Sequence, residues 1–187
     1  MVSEIAGLAA IALASLTEDE VLFLQNLPKA ELHAHLNGSI PLSVLRHLAN
    51  EYTARLGADV LTSEVVQHGL NALQNIELSE IADFFNLFPA IYALTSDTVS
   101  LKKATRAVLE EFLEGEHPNC AYLELRSTPR QVVGGMTRTE YVDAVLDEVE
   151  RYKKDQAALI LSLDRRMDSE AMREIVGIAI LKKNQGR

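Results

Sequence analysis

The chain has no tryptophan and a single cysteine, Cys120, so no disulfide can form within it. A lone thiol fits a reducing compartment, and the expected location is cytoplasmic. Aromatic residues make up only 5% of the 187 positions, and basic side chains are outnumbered, with 18 Lys+Arg against 27 Asp+Glu for a formal charge of −9. Neutralising a phosphate backbone needs a basic face, so a dedicated binder of nucleic-acid polymers is excluded. Long apolar runs are also missing. The best candidate, residues 5–16, covers twelve positions, too few to cross a bilayer, and Glu4 precedes it where a signal peptide carries Lys or Arg. A packed or partly ordered N-terminal helix is expected there, with a cleaved signal as the lesser alternative. With 48% hydrophobic residues the chain can bury one ordinary core, which excludes wholesale disorder.

Caps and periodicity supply the local order. Thr17 followed by Glu20 has the spacing of a capping box and predicts a short helix to about Asn26, broken by Leu27-Pro28. AELHAHL (30–36) alternates: Ala30, Leu32, Ala34 and Leu36 share one face and Glu31, His33 and His35 the other, which is strand period. Asn37-Gly38-Ser39 is turn chemistry, and Pro41 suits the first turn of a helix running to Leu56. Residues 57–77 read as a looser stretch. Helical patterns follow at about 79–94, where Pro89 should kink or end the helix, and at 97–113. Then come a strand over 119–126, a loop, a helix over 138–155, a strand over 158–164 and a final amphipathic helix over 169–183. Strands separated by helices imply a parallel sheet and an α/β fold.

Each predicted strand ends in polar residues: His33 and His35, then Glu124, Arg126 and Ser127, then Ser162 and Asp164. In parallel α/β folds ligands sit at the carboxyl ends of strands. His33 and His35 would project to one side about 6 to 7 Å apart along the backbone, close enough for both imidazoles to reach one Zn²⁺. Two imidazoles fall short of the three protein ligands of a catalytic zinc, and an ordinary polar strand pair is the plainer alternative. The other histidines do not help: His47 lies in a helix, His68 in the loose stretch, and His117 near the opposite end of the sheet. Arg126, Arg130, Arg165 and Arg166 either hold an anion beside the histidines or are solvated charge, and Asp164 either orients a ligand or starts a turn. A (β/α)8 barrel takes about 250 residues, so three strands are less than half of one.

Three segments in order, LPKAELHAHLNGSI (27–40), YLELRSTPR (122–130) and LILSLDRR (159–166), resemble the zinc-dependent adenosine/AMP deaminase family, most closely its adenosine deaminase-like branch, the N6-methyl-AMP deaminases. The resemblance implies a TIM (β/α)8 barrel of the metallo-dependent hydrolase type. Of that barrel about three β/α units plus extra helices would be present, with residues 1–26 a helical extension and 27–187 an incomplete barrel domain. It implies one Zn²⁺ per complete site, with His33 and His35 as two of its ligands. His35, Asn37, Tyr92, Ser127, Thr128, Pro129, Arg130 and Asp164 would border the substrate, and Arg130 with its neighbours would favour a nucleoside monophosphate. Tyr92 stands where the branch often has His, and a phenol offers phosphate no imidazolium.

The implied reaction is hydrolytic deamination of a purine nucleotide or nucleoside, in which zinc lowers the pKa of its water for attack on C6 and a Glu shuttles protons. AMP or N6-methyl-AMP would give IMP, and adenosine inosine. The family's third zinc His, catalytic Glu, base-positioning His and zinc Asp belong to later strands, and the chain ends at Arg187 before them. No catalytic residue is therefore expected here, and the chain should be inactive, or nearly so, by itself. A second reading is a non-catalytic chain that acts through binding, pairing with another chain through an exposed sheet edge. A different H-x-H metallohydrolase is a third, disfavoured by STPR after YLELR. No membrane partner is expected.

Overall fold

The computed structural model describes residues 7–56, 63–74, 81–116 and 118–187. Two helices, α1 (Gly7–Ala14) and α2 (Glu18–Asn26), lead into β1 (Ala30–His35). Helices α3 (Leu42–Leu56), α4 (Glu64–Gln74), α5 (Ile81–Phe85), α6 (Phe88–Leu94) and α7 (Thr98–Leu113) separate β1 from β2 (Tyr122–Ser127). Helix α8 (Arg138–Val149) leads to β3 (Ala157–Leu161), and α9 (Ser169–Asn184) follows. The strands form one parallel sheet in the order β1-β2-β3, so their carboxyl ends share one edge.

The middle strand decides which face is which. Along β2, Leu123, Leu125 and Ser127 are buried, whereas Tyr122, Glu124 and Arg126 are half-buried. Register carries this split sideways, because Leu125 lies beside Ala34 of β1 and Leu159 of β3. The buried face packs on α7 and α8. In α7, Leu101, Ala104, Thr105, Val108 and Leu109 recur at helical spacing and are all buried. Its first turn is capped by Asp97, whose carboxylate accepts the Ser100 N–H at 2.8 Å. In α8, Thr137 and Glu140 cap each other reciprocally, as Thr17 and Glu20 do in α2. The Tyr141 hydroxyl on α8 meets Ser127 Oγ at 2.7 Å inside the core.

One ion cluster ties α7 to α8. Glu148 is 4% exposed, and its carboxylate accepts from Arg106 at 2.9 and 3.0 Å and from Arg151 at 3.1 Å. These partners hold its pKa below the ordinary glutamate value, against the opposing effect of burial. An unpaired carboxylate in that position would cost several kcal/mol.

Several expectations are corrected. The loose stretch 57–77 contains α4, whose Gly69, Leu70 and Leu73 are buried. Gly69, His68 and Asn71 dilute its apolar stripe, and the close approach that Gly69 permits to α6 is invisible along the chain. Of the helix expected over 79–94, residues 79 and 80 lie outside the described residues and the rest is two helices, because Pro89 sits in the first turn of α6 and starts it rather than kinking it. Helix α8 ends at Val149, not near 155, and the strand bounds move to Tyr122–Ser127 and Ala157–Leu161. The apolar N-terminal helix forms but is not packed: α1 and α2 bury no residue, and Leu8 is 85% exposed. Its apolar side chains go right round the helix, so no single stripe commits to the core. His117 lies outside the described residues. Among those residues no helix is long and apolar enough to cross a membrane.

A Cβ on Gly69 would stand 2.7 Å from Ala90 Cβ. Alanine gains about 1 kcal/mol over glycine in a helix, but overpacking a rigid contact costs about 1–3 kcal/mol. Gly69→Ala should therefore lower the melting temperature by about 2–4 °C. An unchanged or raised melting point would show that α4 and α6 do not meet as described.

Candidate active site

The site starts with an irregularity in β1. Glu31 lies opposite Leu123 and Ala34 opposite Leu125, so Leu32 and His33 together face the single residue Glu124. This is a β-bulge, and it breaks the alternation read from AELHAHL: Leu32, expected to share a face with Ala34, is 51% exposed whereas Ala34 is buried. The amide N–H of His33 donates to Glu31 Oε1 at 2.7 Å, and the Arg126 guanidinium donates to the Leu32 carbonyl at 2.9 and 3.3 Å. His33 and His35 are both exposed, and their ring centroids lie 5.2 Å apart with planes tilted by 40°.

After β1 the chain makes a 3-10 turn, Leu36–Gly38, closed by the Ser39 N–H on the Leu36 carbonyl. Asn37 sits in this turn, and its Oδ1 is buried with no hydrogen-bond partner. A line of rings crosses from here to the end of β2. A Cβ on Gly38 would touch Phe84, Phe84 meets Phe88 edge-on at 5.4 Å, and Phe88 meets Tyr92 at 5.5 Å. The Arg130 guanidinium then lies over the Tyr92 ring at 4.2 Å.

Arg130 is braced rather than free. It donates to Thr95 Oγ1 at 2.7 Å, to the Tyr92 carbonyl at 3.2 Å and to the Thr95 carbonyl at 3.4 Å, while Thr95 Oγ1 donates onward to the Ile91 carbonyl. Its Nε is buried without a partner. Burial raises the Tyr92 phenol above its usual pKa, with Arg130 partly opposing the shift. Thr128 is half-buried and Pro129 buried. Ser127 does not join the rim: it is 3% exposed and bonded to Tyr141, on the helix side of the sheet. Arg126 is committed to the Leu32 carbonyl and is no free anion holder. Asp164 is clasped by Arg166, whose guanidinium and backbone N–H both donate to its carboxylate at 2.6–3.2 Å. The contributions of Glu31 and Thr95 were missed in the sequence. The E-x-H spacing of Glu31 and His33 carries a signal, whereas Thr95 has none.

Among the described residues no group of three His, Cys, Asp or Glu converges as a metal site. The two imidazoles share one face and fit two corners of a tetrahedral donor set.

The model of the adenosine deaminase family matches residues 28–186. The chain belongs to the adenosine deaminase family. It is 34% identical over 192 residues to the N6-mAMP deaminase of Arabidopsis thaliana, covering 88% of this chain and 51% of that protein. To the N6-Methyl-AMP deaminase of Homo sapiens it is 32% identical, covering 84% of this chain and 42% of the other. The crystal structure of arabidopsis ADAL complexed with GMP superposes with a TM-score of 0.69 at 33% identity, over 87% of this chain and 48% of that one. An amidohydrolase from Burkholderia ambifaria with bound Zn shares the fold, with a TM-score of 0.61 at 22% identity, over 88% of this chain and 43% of that one. The chain thus spans about half the length of the curated relatives it matches. Its three parallel strands and their helices are part of a (β/α)8 barrel.

The Arg166 clasp pushes the Asp164 pKa down to about 2. A depressed carboxyl pKa contributes stability above its unfolded value, near 4, and that contribution is lost as pH falls through the folded value. An NMR titration of the Asp164 side chain should give a midpoint near 2 in the native chain. In Arg166→Gln the midpoint should return to the ordinary aspartate range, and a native midpoint already in that range would contradict the clasp.

Proposed function

We propose that this chain forms the first part of a zinc-dependent aminohydrolase site for purine nucleotides, of the N6-methyl-AMP or AMP type. One observation carries the reading. Two buried polar atoms without partners, the acceptor Asn37 Oδ1 and the donor Arg130 Nε, lie on loops that follow β1 and β2 at the same edge of the sheet. A purine nucleotide brings both complements, a base with N–H donors and a phosphate with acceptor oxygens. Relatives named as N6-methyl-AMP deaminases, and neighbours solved with GMP and with IMP, support a nucleotide over a nucleoside.

In this reading His33 and His35 hold zinc through two imidazoles. Bound zinc supplies Lewis-acid polarisation and lowers the pKa of a water molecule. Asn37 orients the base, Arg130 takes the phosphate and Tyr92 fixes the guanidinium plane beneath it. Thr128 and Pro129 shape the same loop, and Asp164 lies beyond β3. Ser127 supports the loop from within the core through Tyr141. No described residue is assigned the proton shuttle, so the chain alone binds but does not turn over.

Calorimetry with IMP, AMP and adenosine tests this. The two nucleotides should bind more tightly than adenosine, and Arg130→Met should weaken nucleotide binding about tenfold or more while leaving adenosine unchanged. Equal affinity for all three ligands, or no binding at all, would refute the nucleotide site. Turnover of N6-methyl-AMP with added Zn²⁺ that disappears in His33→Ala would refute the inactivity.

A second reading, association with another chain, is favoured by a groove of about 590 Å³ between β3, α8 and α9, lined by Val142, Leu146, Leu159 and Leu161. Sedimentation velocity should then show a mass that rises with concentration. A constant monomer mass would dismiss self-association.

A further inference from the structure

The bulge in β1 removes one peptide unit, Leu32–His33, from the regular ladder. Both of its polar groups are nevertheless satisfied, each by a charged side chain. The carbonyl accepts from Arg126 and the N–H donates to Glu31, so the unit is pinned at its two ends by charges of opposite sign. Neither partner belongs to the core, since Glu31 and Arg126 are only half-buried. Arg126 is also the register partner of His35, so the residue whose guanidinium fixes the peptide of the first imidazole stands on β2 directly opposite the residue that carries the second. Bulges re-aim side chains, and here the re-aimed residue is His33, whose ring comes to 5.2 Å from that of His35.

We propose that Glu31 and Arg126 are positioning residues for the His33 and His35 pair, clamping the Leu32–His33 peptide so that the two imidazoles converge on one divalent cation. The proposal rests on the reading that these imidazoles hold a metal. What matters at Glu31 is an acceptor oxygen at the right reach, not a negative charge near the ion. Gln keeps the reach and loses the charge, whereas Asp keeps the charge and loses the reach, so two conservative variants separate the two roles.

The test is titration of the full 187-residue chain with Co²⁺, followed by visible absorption, with His33→Ala defining the signal that belongs to the imidazoles. Glu31→Gln should bind within about threefold of the native chain, and Glu31→Asp and Arg126→Met should each bind about tenfold more weakly or worse. Hydrogen exchange of the His33 amide should stay slow in Glu31→Gln and become fast in Glu31→Asp, a readout that involves no metal. Native affinity in Glu31→Asp, or equal losses in Asp and Gln, would overturn the clamp while leaving the metal reading intact. If the native chain shows no His33-dependent Co²⁺ signal, the metal reading falls and the clamp's purpose falls with it.

Discussion

Everything at the candidate site depends on β2 burying one side completely. Leu123 and Leu125 are fully enclosed, and Ser127 is bonded to Tyr141. Because strand side chains alternate, that commitment leaves Tyr122, Glu124 and Arg126 on the opposite face, and the parallel register assigns β1 and β3 their faces in turn. The imidazoles of His33 and His35 are therefore held on the polar side of a sheet whose other side cannot slip. A one-residue shift would drive charged groups into the helix layer, so the core and the site are protected by the same packing.

The rim is built with different physics. Between β1 and β2 the helices α5 and α6 lay down a line of rings, Phe84, Phe88 and Tyr92, that ends against Arg130. The guanidinium is fixed by Thr95 on one side and by the Tyr92 face on the other. Such a group loses little freedom when it meets an anion. Across the edge, Asp164 and Arg166 neutralise each other. In an acidic chain, Arg130 with its unsatisfied Nε is a local positive feature.

Much of this was legible in the sequence where local rules govern. The capping spacing at Thr17 and Glu20, the strand periods around His33 and Leu123, and the apolar stripe of α8 depend on neighbours along the chain, and each element formed. What escaped was set by distant partners. The helix α4 depends on Gly69 meeting Ala90, and the split at Pro89 depends on α6 packing as a separate unit. The bulge inserts a residue that alternation cannot foresee, and its anchor Arg126 lies 94 positions from Leu32. Ser127 looked like a rim residue because it ends a strand, yet parity turned it toward Tyr141. Strand alternation singled out the histidine pair, the resemblance to adenosine deaminases implied its role, and the structure added how its backbone is held.

The account stands on His33 and His35 acting as one metal-binding unit on the open face of the sheet. A Zn²⁺ titration of the 187-residue chain followed through the imidazole nitrogen resonances examines that unit without relying on turnover. The account predicts that His33 and His35 shift together and saturate at one equivalent, while His47, paired with Glu51, and His68 on α4 stay unmoved. Shifts at only one of the pair, or equal shifts at His33, His35, His47 and His68, would contradict it.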